Sequence, residues 1–534
     1  MTITSRRGIS RVLGLLIVLA LAFTACSSDD SSDGSTSAPT GSTASPASDI
    51  DPNGVIKVGL DLQSQVGQGL MFDTATMNPN GNAYDGIWYL IYGRLLRPEA
   101  DGSLTPDLAE SATIVNTTTI EVVLRDGLTF SDGSPLDASD LKASLDVILQ
   151  SNNTAAFTPQ FFSLDSVEVV DPHTAKLTVG DGTAASWYDT FLPGWQVSIQ
   201  AQGGASGSVP LGAGPMVVDS FETGQSMALS RNEAYWNVDA VKLGGYEFVQ
   251  IFNEQPQSGI AALRTGQVDV TITDPTQLAD VSDPFDVYAR VDSAQTIGMH
   301  VCKKDGPLSD PKVRAAINKG IDREAINEAI YDGLAQPATQ LWPTDHKFNV
   351  PELEDDLAYD VEGARELLEE AGYAEGASID LHYIPFFGIE DVATVFADQM
   401  KAIGLDINII TGGSYVADFL EPNAPGLGLY NGSSAGVTKL TAWVGDGLGN
   451  VCDFNDPALT ALSEQLKGVS QTDPEAVELW AQASEIVVGD ALGVFIFFRP
   501  SLAAYDTERV ADMVSTVRGT YLVPDPLVTS IKAG

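Results

Sequence analysis

The chain has 534 residues, 44% of them hydrophobic, with 72 acidic against 28 basic side chains and a net charge of −44. That apolar content suits a folded chain, and the length exceeds what one core usually serves, so at least two lobes are expected. Carboxylates spread along so acidic a chain exclude binding to a phosphate backbone and fit a solvated protein outside the cell.

At the start, Arg6, Arg7 and Arg11 lead into an apolar run, Val12 to Phe23, which ends at the small residues Thr24 and Ala25 and then Cys26. Basic, apolar and small residues in that order make an export signal. The run is shorter than the roughly 20 apolar residues of a spanning helix, so residues 1–25 read as a cleaved segment. The junction resembles a bacterial lipoprotein start, with Phe23 where leucine is usual, and that resemblance implies a lipid on Cys26. Ser5-Arg6-Arg7 loosely matches a twin-arginine signal, which leaves the export route open. Residues 26–50 are rich in Ser, Thr, Gly, Pro and Asp and cannot bury enough to offset ordering entropy. They form a tether of ~25–30 Å typical reach.

Structure begins at Val55-Ile56-Lys57-Val58-Gly59-Leu60, an apolar strand. Alternating segments follow, including Ile120 to Leu124 and Val167 to Val170, separated by the turn signals Asp126-Gly127, Asp132-Gly133 and Asp171-Pro172. Asp137 caps a helix whose Leu141, Leu145 and Ile148 share a face, and this helix packs on the sheet. The second half alternates strands with well-delimited helices. Asp310-Pro311 opens one with Val313, Ala316 and Ile317 inward; Gly320 stops it and Asp322 caps the next. Asp360 opens another, with Ala364, Leu367, Leu368 and Ala371 inward and Gly372 at its end. Strand Ile379 to Ile384, helix Asp391 to Ile403 and strand Leu405 to Ile410 make a β-α-β unit. Near the end, Asp473-Pro474 opens a helix through Val488, and Val494 to Phe498 is an apolar strand buried on both faces.

Enzyme signatures are missing: no Gly-x-Ser-x-Gly, no phosphate loop and no Gly-x-Gly-x-x-Gly occurs. His173, His300, His346 and His382 are scattered without metal-ligand spacing, and no Cys-x-x-Cys occurs, so neither a metal site nor a cofactor is expected. Cys302 and Cys452 can pair or stay free in an oxidising compartment. The acidic surplus leaves a preference for cationic ligands open.

Three stretches resemble the extracytoplasmic solute-binding proteins of ABC importers, the peptide/nickel-binding family 5. Leu124-Arg125-Asp126-Gly127 with Phe130-Ser131-Asp132-Gly133-Ser134-Pro135-Leu136 is the first. Asp310, Val313-Arg314, Ala316, Asn318 and Ile321-Asp322-Arg323-Glu324 form the second. Tyr359-Asp360, Ala364, Leu367-Leu368 and Ala371-Gly372-Tyr373 form the third, with Val361 in place of the usual proline. Weaker matches at Pro106-Asp107-Leu108-Ala109, Gly212 to Pro215, Arg231-Asn232, Tyr235-Trp236 and Gly266 to Asp269 keep the family's order.

The resemblance implies an α/β fold of the periplasmic-binding-protein-like type II, two lobes joined by hinge strands with a subdomain inserted in the N-terminal lobe. Lobe I then combines residues 51–90, 210–292 and 492–534, the insert is 91–209, and lobe III is 293–491. It implies a binder and not an enzyme: a monomer, lipid-anchored to the outer face of the cytoplasmic membrane, that delivers a solute to ABC permease subunits. Peptide is the first candidate. Ala442-Trp443-Val444-Gly445-Asp446 is similar to the Trp-x-Gly-Asp stretch of dipeptide and oligopeptide binders, which makes Asp446 the candidate partner of a ligand ammonium and Trp443 a candidate cleft residue. Phe386 and Phe387 are candidates for the same cleft. No arginine lies between Tyr383 and Gly388, where dipeptide binders keep one, so a metal chelate, a sugar or a cationic small molecule stays open as ligand. A secreted acidic hydrolase and an adhesive lipoprotein are the alternatives from other classes.

Overall fold

The computed structural model describes residues 49–62, 84–99, 103–150, 164–180, 182–201, 210–251, 258–302, 306–383, 389–411, 426–433, 436–444, 450, 454–516 and 522–533. Residues 44–534 form one compact unit and residues 1–43 another, all of the latter outside the described set. No helix among the described residues is long and apolar enough to cross a membrane.

One large mixed sheet organises the chain. Its strands are β1 (Val55–Leu60), β2 (Met216–Glu222), β3 (Ser226–Arg231), β4 (Gly245–Gln250), β5 (Val270–Thr273), β6 (Phe285–Cys302), β7 (Gln336–Pro337), β8 (Ala377–Tyr383), β9 (Leu405–Thr411), β10 (Gly426–Ser433) and β11 (Gly493–Asp506). Their order is β9-β8-β10-β6-β11-β5-β1-β4-β3-β2, with β7 on β11. Parallel pairs occur towards both ends, β1 with β4 and β5, and β8 with β9 and β10. Between them run two long antiparallel strands, β6 and β11. The first part of β6 pairs with the last part of β11, from Phe285 opposite Asp506 to Val291 opposite Pro500, beside β5. The last part of β6 pairs with β10 on one side and the first part of β11 on the other. These two strands carry the chain between the two halves of the sheet.

A four-stranded antiparallel sheet, ordered Ala109–Asn116, Thr119–Leu124, Thr174–Val179, Leu164–Val169, stands apart in the first half. Its inward positions follow the two-residue period: Ile120, Val122 and Leu124 on one strand and Ala175, Leu177 and Val179 on another are buried. Helix α1 (Asp85–Tyr92) precedes this sheet, and helix α2 (Ala138–Gln150) packs on it, with Leu141 and Leu145 buried and Ser139 N donating to Asp137 Oδ1 at 2.7 Å. Gly127 and Gly133 take φ of +73° and +83° in the turns before this helix, a region that a β-carbon penalises. Farther along the same segment, Asp189 ties helix α3 (Ala184–Thr190) to distant chain, accepting from Ser470 Oγ at 2.8 Å and Gln471 N at 2.6 Å.

After helix α4 (Ser258–Arg264), the second motif builds helices α5 (Pro311–Lys319) and α6 (Arg323–Tyr331). Asp310 accepts from Lys312 N at 2.9 Å with Pro311 at the first helical position, and Asp322 accepts from Ala325 N at 2.9 Å, so both caps form as read. Three of the motif's other polar residues, Arg314, Asn318 and Arg323, are buried, while Glu324 is exposed. Arg323 donates to the carbonyls of Phe495 (2.9 Å), Asn318 (3.1 Å) and Leu357 (3.3 Å), and to Asn318 Oδ1 (3.2 Å). Asn318 Nδ2 donates to Gly493 O at 3.0 Å, and its Oδ1 accepts from Phe495 N at 3.3 Å. Arg314 donates to the carbonyls of Leu308 (3.0 Å), Ala491 (3.1 Å) and Asp490 (2.6 Å). The helix pair is thereby fastened to the start of β11.

Helix α7 (Val361–Glu370) is capped by Asp360, which accepts from Gly363 N at 2.9 Å. Between β8 and β9, helix α8 (Ile389–Ala402) completes the expected β-α-β unit with parallel pairing. Helices α9 (Pro457–Lys467) and α10 (Pro474–Gly489) pack on each other. Asp473 precedes α10 as read but makes no side-chain cap bond. The largest hydrophobic cluster joins residues of the first half to Ala338, Leu341, Trp342, Trp443, Trp480, Phe495 and Phe498, and so crosses the lobe limits expected from sequence. A second cluster holds Ile297, Val313, Ile317, Leu381, Phe396 and Phe497.

Burial without water pushes the Arg323 guanidinium down to about 9, so its charge persists at neutral pH through the carbonyls around it. Arg323→Leu leaves those carbonyls unpaired and is expected to lower unfolding stability by about 3 kcal/mol or more. Arg323→Lys is expected to recover only part, because an ammonium lacks the planar fork that reaches several acceptors. Urea midpoints of the three proteins check both statements.

Candidate functional site

Where the two hydrophobic clusters meet along β6 and β11 there is a cavity of about 220 Å³. Its walls come from four separate pieces of chain: Thr296, Ile297, Gly298 and His300 on β6; Ala338, Gln340 and Leu341 after β7; Tyr430 on β10 with Lys439, Thr441, Ala442 and Trp443 after it; and Phe495, Phe497 and Phe498 on β11. The strand register makes this convergence possible. Pairing between β6 and β11 shifts at Ile297/Gly298, so Gly298 faces Phe495 where continuous pairing would bring Ile496. Such a bulge redirects side chains, and three phenylalanines of one strand reach a single cavity.

Two glycines keep the wall thin. A β-carbon on Gly298 would lie 2.8 Å from Val494 O and 3.0 Å from the Tyr430 hydroxyl. One on Gly493 would lie 3.1 Å from Trp443 Cζ2, so the indole packs directly over backbone. Trp443 is buried and its Nε1 donates to Leu492 O at 3.0 Å, which fixes the ring plane. Gln340 turns its amide away from the cavity: Nε2 donates to Val350 O and Oε1 accepts from Val350 N, both at 3.0 Å. His300 stacks on Tyr430 with ring centres 4.5 Å apart. Burial pushes the His300 imidazole down to about 4 and the Tyr430 phenol up from its usual value. The Lys439 ammonium is buried 4.8 Å from the Trp342 ring centre and 5.6 Å from that of Phe498. No carboxylate lines the cavity among the described residues.

Of the site residues read from sequence, Trp443 lines this cavity. Asp446, Phe386 and Phe387 lie outside the described residues, as does Cys26. Cys302 is disulfide-bonded; Cys452, the partner considered from sequence, lies outside the described residues. His300, Tyr430, Lys439 and the phenylalanines of β11 were missed as lining residues. The run Val494 to Phe498 gave the only signal, and it reads equally as core.

The family model for bacterial extracellular solute-binding proteins, family 5 (middle), matches residues 103–430. A glutathione-binding protein, GsiB of Salmonella paratyphi A, is 28% identical over 299 residues, covering 54% of this chain and 57% of the relative. The chain thus matches little more than half the length of such curated relatives. Among solved structures, the ABC transporter substrate-binding protein CtaP of Listeria monocytogenes superposes with a TM-score of 0.72 at 22% identity, covering 90% of this chain and 99% of that one. A nickel ABC transporter protein of Bacillus halodurans superposes with a TM-score of 0.74 at 22% identity, covering 90% and 100%. The fold is therefore the α/β, periplasmic-binding-protein-like one that the motifs implied.

A buried neutral histidine gives the cavity a pH signature. The folded value of His300 lies below its ordinary value of about 6.5, so its contribution is complete above that pH and is lost as pH falls towards 4. Wild type is expected to lose stability more steeply than His300→Gln between pH 6.5 and 4, as read by melting temperature at each pH.

Proposed function

We infer the function of this chain from its family: it belongs to the bacterial extracellular solute-binding proteins, family 5. It captures a small solute between the two halves of the sheet and delivers it to the permease of an ABC importer, doing no covalent chemistry itself. The observation that carries this reading is the cavity at the junction of the halves, walled by the two strands that bridge them. Ligand held there touches both sides of the connection and so favours one arrangement of the halves over another, which a membrane partner can recognise.

Peptide is the first candidate solute. GsiB relatives are glutathione-binding proteins, and glutathione is a tripeptide. In this reading Asp446, three residues beyond Trp443 and hence within about 11 Å of it along the chain, receives the ligand ammonium. Residues 1–25 are removed on export, lipid on Cys26 holds the protein at the outer face of the membrane, and residues 26–50 let a monomer reach its permease. Lobe I (51–90, 210–292 and 492–534), an insert (91–209) and lobe III (293–491) are the moving parts, and Cys302 pairs with Cys452.

Native mass spectrometry of protein from its own host, followed by calorimetry with peptide pools, tests the assignment. A co-purifying peptide is expected, and Asp446→Ala is expected to weaken its binding tenfold or more, the loss for a hydrogen bond to a charged group being about 1.5–3 kcal/mol. Unchanged affinity would remove the role of Asp446. Tight binding of a sugar, metal chelate or cationic small molecule with no binding of peptides would overturn the peptide assignment.

A further inference from the structure

We propose that the cavity is a specificity pocket for one aromatic ring of the ligand, an inference that rests on the solute-receptor reading above and names the solute more narrowly. Size is the first argument. A dry engineered cavity of about 150 Å³ accepts benzene, so about 220 Å³ admits a single phenyl or indole ring and not two.

What the wall offers is the second argument. Several of its hydrogen-bonding groups are already engaged within the protein: Trp443 Nε1 on Leu492 O, the Gln340 amide on Val350, and the Tyr430 hydroxyl with the Thr296 side chain. The His300 imidazole is neutral at physiological pH. A ligand group entering here meets mostly ring faces and methyl groups, with the His300 imidazole and the Lys439 side chain beside them. A ring among rings gains more than its buried area alone, because ring edges and faces carry opposite partial charges, whereas a branched aliphatic group gains the area alone. The buried Lys439 ammonium, already against the faces of Trp342 and Phe498, adds a cation beside which a further ring face is favourable.

Rigidity is the third argument. The Trp443 plane is fixed by its hydrogen bond and by Gly493 beneath it, and Phe495 is held through both its amide and its carbonyl by Asn318 and Arg323. The slot is formed before ligand arrives, so a flat, stiff group fills it at the lowest entropic cost.

The test is calorimetry on the full chain, freed of co-purifying ligand, with the three tripeptides that carry one phenylalanine among glycines, their three leucine counterparts, Gly-Gly-Gly and glutathione. At least one phenylalanine peptide is expected to bind roughly tenfold tighter than its leucine counterpart, about 1.4 kcal/mol, and tighter than glutathione. Ala338→Leu, or Thr441→Leu should the first fail to fold, fills the cavity and is expected to bring the phenylalanine-to-leucine ratio towards one. If leucine binds as well as phenylalanine at every position, the aromatic pocket is wrong while the peptide receptor stands. If no tripeptide binds but a sugar or metal chelate does, the peptide reading and the pocket fall together.

Discussion

A guanidinium buried among backbone carbonyls holds the rest of this molecule in register. Arg323 reaches Phe495 O on β11, the Asn318 carbonyl at the end of α5 and Leu357 O, while the Asn318 side chain bonds both Gly493 O and Phe495 N. A charge taken out of water is tolerable only where its donors are satisfied, and each carbonyl needs a donor in return. Each group therefore fixes the others. Because Phe495 also lines the cavity and Gly493 packs behind the Trp443 ring, the helix pair α5–α6 holds this side of the pocket in place, although no side chain of either helix lines it.

That rigidity contrasts with the strands that bridge the halves of the sheet. In β6 and β11 the ladder is interrupted twice, between Val291 and Thr296 and between Ile297 and Gly298. Bending a sheet costs least where hydrogen bonds are already missing, so the proposed motion of the halves would concentrate at these shifts. The second shift is also the one that aims Phe495 into the cavity. The same irregularity that permits motion therefore shapes the binding surface, and a ligand that packs against Ile297, Gly298 and Phe495 biases the bend itself.

The local parts of the fold were legible and the pocket largely was not, for a physical reason. Asp310, Asp322 and Asp360 cap helices because a carboxylate two or three residues from a free amide closes a small ring, a contact fixed by sequence spacing. Asp473 carries the same Asp-Pro pattern and makes no such bond, so spacing permits a cap without requiring it. The motif around Arg314 and Arg323 was recognisable, but its work, tying helices to a strand some 170 residues later, appears only in three dimensions. The pocket depends wholly on such distant contacts. Four segments supply it, one through a register shift that leaves no mark in the residue pattern, and His300 looked like any scattered histidine until Tyr430 stacked on it.

Net charge taught a related lesson. A formal charge of −44 makes a ligand cation look attractive, but charges on a wet surface are screened within about 8–10 Å. Inside the cavity only nearby groups count, and there the described lining holds one basic side chain, Lys439, with aromatic rings beside it. The low dielectric of the wall strengthens interactions made within it, while water weakens those of the distant carboxylates. With no carboxylate among the described lining, the pocket suits an uncharged ring better than a ligand ammonium. The acidity of the chain belongs to its solubility, and the selectivity belongs to a few buried side chains that composition cannot see.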